Sequence, residues 1–408
     1  RYAGPEPMDP AAMQPLTEAY AEAMRLVARQ FPGDMDIQVL FAEAMMNRNP
    51  WRLWSLDGVP AEGTEELVGT LERVLARTPE HPGANHYYIH AVEASRQPER
   101  ALPAAERLPG LMPGAGYMVH VPAHIYQRVG RYAEASARNR EAVVADLAYM
   151  ARIRPWGHYP RYLGHNYGSL AYSAAMEGRR AESLAAARAS AKALPPNMLE
   201  MMPGRDFFAA GPLLAMVRFG EHEALLAEPR PDPRYQVLTG LWMHARGMAL
   251  AAMDRLDEAA DLQVQLVQLA ESLGPWVPAG NNRGRDVLKV AARVLAGRIA
   301  DREEHPQSVA IWAEAVAMAD KLAYSEPADW FYPVRHYQGA ALLRVGKYAD
   351  AAAAYIADLE RHPANGWALF GLTQALKGQG KTAAAQRTGA AFARAWKRAD
   401  ITLTTTGL

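Results

Sequence analysis

The chain holds 12 histidines and no cysteine. Any metal chemistry it supports therefore falls to imidazole and carboxylate. Four of the histidines are paired: His86 and His90 in NHYYIHAVE, and His120 and His124 in HVPAHIY. A spacing of four places two side chains on one face of a helix. Glu93 lies three residues beyond His90 and joins the same face. Neutral imidazole is the commonest metal ligand. His86, His90, Glu93, His120 and His124 are thus the candidate metal ligands. Glu93 doubles as a candidate general base, and His165 is a candidate extra ligand or proton shuttle. Several histidines with one carboxylate suit zinc, copper, iron, manganese or nickel. Ligand type does not choose among these divalent transition metals.

The elements that must position these side chains are helices. The composition favours helix formers, and no run alternates at period two, so no sheet is expected. Proline and glycine punctuate periodic apolar stretches at short intervals, the pattern of short helices joined by tight turns. Self-comparison gives a period. The two histidine pairs are 34 residues apart, as are Pro79 and Pro113, Ala101 and Ala135, and Gly346 and Gly380. Val129-Gly130-Arg131-Tyr132-Ala133-Glu134-Ala135 is closely repeated by Val345-Gly346-Lys347-Tyr348-Ala349-Asp350-Ala351, with weaker copies near Gly178 and Asp254.

This turn, with its spacing, resembles the inter-helix turn of tetratricopeptide repeats. The resemblance covers about residues 62–195 and 235–395. It implies an all-α, right-handed solenoid of antiparallel helix pairs, a tetratricopeptide-like superhelix. Each pair buries its apolar side only by stacking on its neighbours. The expected organisation is a helical pair with an aromatic loop over 1–61, then the histidine-bearing repeats over 62–195. An insertion near 147–164 lengthens the latter. An irregular proline-rich segment covers 196–234, and further repeats cover 235–408. Trp51 and Trp54 are expected in the core of the terminal pair. The stretches HYYIHAVEAS and HVPAHIYQRVGRY also resemble those of large bacterial repeat proteins, a resemblance that implies no activity.

Position within the repeat gives the histidines their meaning. His120 lies ten residues before Gly130 and His124 six before it. His244 lies ten before Asp254, and His336 ten before Gly346. His165, thirteen before Gly178, falls one turn along the same face. The resemblance implies that such positions line a concave groove and meet ligands. Two pairs on adjacent first helices, roughly 10 Å apart, then converge on one ion. Pro122 argues for a helix start or kink inside the second pair. Trp330, Arg335, His336 and His244 are the candidate groove wall for a substrate. Tyr162, Asn166 and Tyr172 are candidate supporting groups around His165. Met198, Met201 and Met202 suit soft copper or a core.

The functional expectation is a metal-binding helical-repeat protein. A metal-dependent enzyme acting on a small molecule in the groove is its extension, with the reaction unassigned. The alternative is a metal-free tetratricopeptide scaffold holding a peptide or protein partner. Histidine acid–base chemistry without metal is a third course. Lys+Arg and Asp+Glu balance at 44 each, so no basic stripe points to nucleic acid. No apolar run is long enough for membrane insertion. The motifs Gly-x-Ser-x-Gly, Gly-x-x-x-x-Gly-Lys-Ser/Thr, Gly-x-Gly-x-x-Gly and His-Glu-x-x-His are missing. A soluble chain of cytoplasm or periplasm is expected. The first residue is Arg1, so a preceding leader would not be visible.

Overall fold

A computed structural model describes residues 10–153, 159–194, 199 and 204–407. The chain divides into two compact units, Arg1–Pro113 and Gly114–Leu408. The division falls inside the expected 62–195 block, between the two histidine pairs. Met198, Met201, Met202 and the stretch 154–158 of the expected insertion lie outside the described residues.

Within each unit the described residues are built almost wholly of helices joined in pairs. A helix pair reverses tightly where one residue enters the left-handed region, which glycine does without steric cost. The predicted turn residues do this at Gly130 (φ 77°), Gly178 (71°), Gly346 (73°) and Gly380 (71°). Asp254, at φ 60°, is the non-glycine member of the set; aspartate tolerates this conformation better than most residues. Gly220, at 68°, is a further such turn. It joins Gly211–Phe219 to His222–Ala227, so the segment expected to be irregular carries a short helix pair. Among the described residues, the only strands are Pro278–Ala279 and Asn282–Arg283, a two-residue antiparallel hairpin.

The first unit contains Pro10–Gln30, Met35–Met46, Thr64–Arg77, Pro82–Val92 and Leu102–Leu111. Asp34 caps the second of these by accepting from the Ile37 N–H at 3.0 Å. Trp54 donates its indole N–H to the Ala91 carbonyl at 2.7 Å. Trp51, expected in the core, is 61% exposed. It sits at φ 56° in the loop, and that backbone turns its side chain outward.

The second unit runs from Gly116–His120 to Thr382–Ala395. Its extra residues after Gly130 go into helix length: Tyr132–Ile153 has 22 residues and Tyr159–Met176 has 18. One apolar core runs from Tyr132 to Leu403. The unit closes on itself. Trp367 donates to the Ala175 carbonyl at 2.9 Å, and the Gly130 turn abuts the backbone of Pro363. Asp400 caps Arg180–Ala193 by accepting from the N–H groups of Arg180 (2.6 Å) and Ala181 (2.9 Å). That helix has no side-chain cap of its own, so a residue 220 positions away supplies it. Among the described residues, no helix is long and apolar enough to cross a membrane.

Candidate metal centre

Each histidine pair belongs to its own unit. In the first unit, His86 and His90 lie one turn apart on Pro82–Val92, with ring centroids 4.9 Å apart and edges crossed. His90 Nδ1 is 3.1 Å from Glu93 Oε1. Glu93 is buried and His90 partly so. The i, i+3 spacing thus produces the carboxylate–imidazole couple expected of it.

In the second unit, His120 ends Gly116–His120 and His124 sits in Pro122–Arg128. Val121, between them, keeps helical angles (φ −49°, ψ −37°). The break at Pro122 is therefore a kink in one helix, and both histidines stay on one face. His165 comes from Tyr159–Met176. Ring centroids lie 4.6 Å apart for His120 and His165, 4.7 Å for His120 and His124, and 6.1 Å for His124 and His165. One ring nitrogen from each of the three falls within 4.8 Å of the others.

The hydrogen bonds order this cluster. His120 Nδ1 lies 2.6 Å from the side-chain oxygen of Asn139. An amide oxygen only accepts, so Nδ1 carries the proton and Nε2 presents a lone pair. That lone pair faces His124 Nε2 at 2.7 Å. On the far side of its ring, His124 Nδ1 lies 3.8 Å from Glu326. The 2.7 Å contact between the two rings is a hydrogen bond, in which a neutral His124 donates from Nε2 to the His120 lone pair. The buried Asn139 and the nearly buried Glu326 flank the two rings.

Access is one-sided. His120 and His124 are buried, whereas His165 is partly exposed. Tyr117 stands 6.1 Å from His120 and 5.0 Å from the exposed Tyr162, ring to ring. Beneath them, buried Asp146 accepts from Tyr159 (2.8 Å) and Asn166 (2.7 Å). Burial pushes its carboxyl up despite both bonds. Tyr172 is buried in the core.

The remaining groove candidates are placed elsewhere. His244 is fully buried: Nδ1 meets the Ala291 carbonyl at 2.9 Å and Nε2 the Tyr332 hydroxyl at 2.6 Å. Trp330 packs on it at 5.3 Å. His336 is fully buried between Arg218 Nη1 (2.9 Å) and Asp358 Oδ2 (2.8 Å). Arg335 pairs with Asp320 at 2.6 Å. At these positions, expected to line a groove, side chains of the same unit fill the space.

Burial lowers both His244 and His336 to about 4, from an ordinary 6.5. The unfolded chain takes up these two protons and the folded chain refuses them. Their contribution to stability is therefore present above about pH 6.5 and lost as pH falls towards 4. The buried carboxyls Asp329, pushed up to about 6, and Asp146 and Glu177, also pushed up by burial, work in the opposite sense. They act only as pH falls towards the ordinary carboxylate range, whereas the histidines, His222 among them, act from about pH 6.5 downwards. Urea midpoints measured at pH 7.5 and 4.5 are expected to fall; a midpoint that holds or rises contradicts this account.

Asn139, Glu326 and Arg218 carry no sequence signal that marks them. Glu326 lies some 200 residues from His124, in a stretch, SEPADW, that reads only as a turn.

No family model matches the sequence, and no curated protein matches it. Among solved structures, the human IFIT1 dimer with m7Gppp-AAAA overlaps at a TM-score of 0.38 and 11% identity, over 94% of this chain and 78% of that one. The TPR domain of P58(IPK) overlaps at 0.27 and 13% identity, over 86% of this chain and 99% of that one. At such scores neither overlap bears on what this chain binds.

Proposed function

We propose that this helical-repeat protein binds a divalent transition metal among His120, His124 and His165, with Glu326 beside His124. The observation that carries the reading is the convergence of three imidazoles, with one ring nitrogen from each of His120, His124 and His165 within 4.8 Å of the others, while the outer nitrogen of His120 is held by Asn139. A metal takes the place of the proton between His120 and His124. Three imidazoles leave a coordination position for a further ligand, and the partly exposed His165 side is where it enters. A metal there supplies Lewis acidity, so a small molecule turned over at this position is the enzymatic extension of the proposal. The chain's own residues hold and orient: Asn139 fixes the His120 tautomer, Glu326 faces His124, and Tyr117 and Tyr162 line the approach.

The test uses protein purified without an affinity tag. Elemental analysis and titration with zinc, copper, iron(II) and manganese are expected to show close to one equivalent of one metal. Uptake is lost in His124→Ala with the helical dichroism retained. In Asn139→Ala the affinity drops by about 10- to 100-fold, the usual loss when a metal ligand's orienting partner is removed. Less than about a tenth of an equivalent, with no uptake on titration, rejects the metal, because a formed site with deprotonated ligands takes one up.

A second reading is supported by His244 and His336. Both occupy the same place in the repeat and serve purely as internal hydrogen-bonding groups. On that reading His124 donates from Nε2 to His120, and the protein is a metal-free scaffold for a peptide or protein partner. The failure of metal uptake is the result that selects it.

A further inference from the structure

The first unit has a cleft of its own, of about 450 Å³, bounded by Pro10–Gln30, Met35–Met46 and Thr64–Arg77. Its floor is apolar, with Phe41, Val74 and Ala28 buried. Its walls carry four arginines, Arg25, Arg29, Arg73 and Arg77, against one carboxylate, Glu66. That carboxylate is already taken: Arg25 grips it with two bonds, at 3.0 and 2.8 Å. Arg73 is oriented by a 2.8 Å bond to the Thr70 hydroxyl. Arg29, Arg73 and Arg77 have no carboxylate partner among the described residues. The cleft therefore presents three uncompensated guanidinium groups around an apolar floor.

Basic residues are common in the last turn of a helix because they complement its dipole, and Arg29 and Arg77 occupy such places. The dipole accounts for an arginine at each end. It does not account for both ends, together with Arg73 one turn earlier, bordering a single cavity with an apolar base. The partial negative charge of two helix ends, about half a unit each, is also smaller than three full positive charges.

We propose that this cleft is a binding site for a small organic polyanion carrying two or more phosphate or carboxylate groups. Arginine recognises both through paired N–H donors. The volume is that of a small-molecule pocket, which argues against an extended peptide. This site is separate from the histidine cluster and stands whether or not a metal binds there.

The experiment is calorimetric titration of the full chain with inorganic pyrophosphate and with citrate, at low and at physiological salt, after treatment with chelator. Saturable binding of one equivalent is expected, weakening with salt. The double variant Arg73→Ala/Arg77→Ala is expected to bind at least about tenfold more weakly, in line with two lost charge-assisted bonds. Arg73→Lys keeps the charge but loses the paired geometry, so it falls between. Pyrophosphate binding alone assigns phosphate chemistry, and citrate binding alone assigns carboxylate. Binding of neither, or affinity unchanged in the double variant while its dichroism and melting match the parent, overturns the proposal.

Discussion

Asp358→Ala is expected to destabilise the second unit by about 3–5 kcal/mol, the cost of breaking a buried ion pair by removing one partner. Asp358 is fully buried and accepts three bonds, from His336 Nε2 (2.8 Å), His362 Nδ1 (3.1 Å) and Asn365 Nδ2 (2.9 Å). Across the His336 ring stands Arg218, also buried, which donates to His336 Nδ1 at 2.9 Å and lies 3.7 Å from the centroid of Trp367. A nitrogen that accepts from a guanidinium bears no proton, so His336 is neutral. The charges are Arg218 and Asp358, bridged by one imidazole. Burial draws Arg218 down to about 10, and it still ionises at neutral pH. Without Asp358 that charge has no counterpart nearby. Urea denaturation followed by dichroism measures the loss, and the paired replacement Arg218→Met/Asp358→Leu is expected to recover much of it. A single-variant loss below about 1 kcal/mol would show that water or another group serves the arginine.

Gly130→Ala is expected to cost more than Gly346→Ala, although the two glycines hold equivalent places in the repeat. Both sit in the left-handed region, at φ 77° and 73°, so each substitution carries about 1–2 kcal/mol of backbone strain. The surroundings then separate them. A Cβ on Gly130 would lie 2.3 Å from the Pro363 oxygen and 2.7 Å from its carbon, whereas one on Gly346 has nothing within 4 Å. The Pro363 atoms are backbone and move only with the loop that joins Tyr348–Arg361 to Gly366–Gly378. Overpacking of that kind adds about 1–3 kcal/mol. Thermal unfolding of both variants against the parent checks the order. Equal shifts in Tm would mean that the Gly130 turn does not bear on Pro363.

The turns were legible in the sequence because they impose a local demand. Gly130, Gly178, Asp254, Gly346 and Gly380 must each take positive φ, and short apolar helices flank them at regular spacing. The pairing of His120 with His124 was legible for the same reason, since four residues on a helix is a fixed geometry. Gly220 escaped because prolines on both sides of its short helix pair mask the period. The ring contact of His165 with His120 depends on how two helices pack, which the spacing does not give. Glu326 and Asn139 were not legible at all. Each reaches the cluster through tertiary packing, and no pattern in SEPADW or ARNREAV encodes a partner outside the stretch. His244 and His336 show the limit from the other side. Their burial is decided by what fills the space before them, here Tyr332, Trp330, Arg218 and Asp358.

The way the second unit joins its late helices to its early ones has a kinetic consequence. An open repeat array can nucleate anywhere and grow or fray by single repeats. Here Asp400 caps the helix that begins at Arg180, and Thr406 donates to the His336 carbonyl at 2.7 Å while its hydroxyl meets Tyr355, also at 2.7 Å. These pairings link residues far apart in sequence, which slows folding because the loops must close first. On the ribosome, the unit's early helices stay without their cap and their Pro363 and Trp367 neighbours until the segment through Asp400 has emerged. The unit then completes as one cooperative event, and without that segment it is left as a partly formed array with its core uncovered.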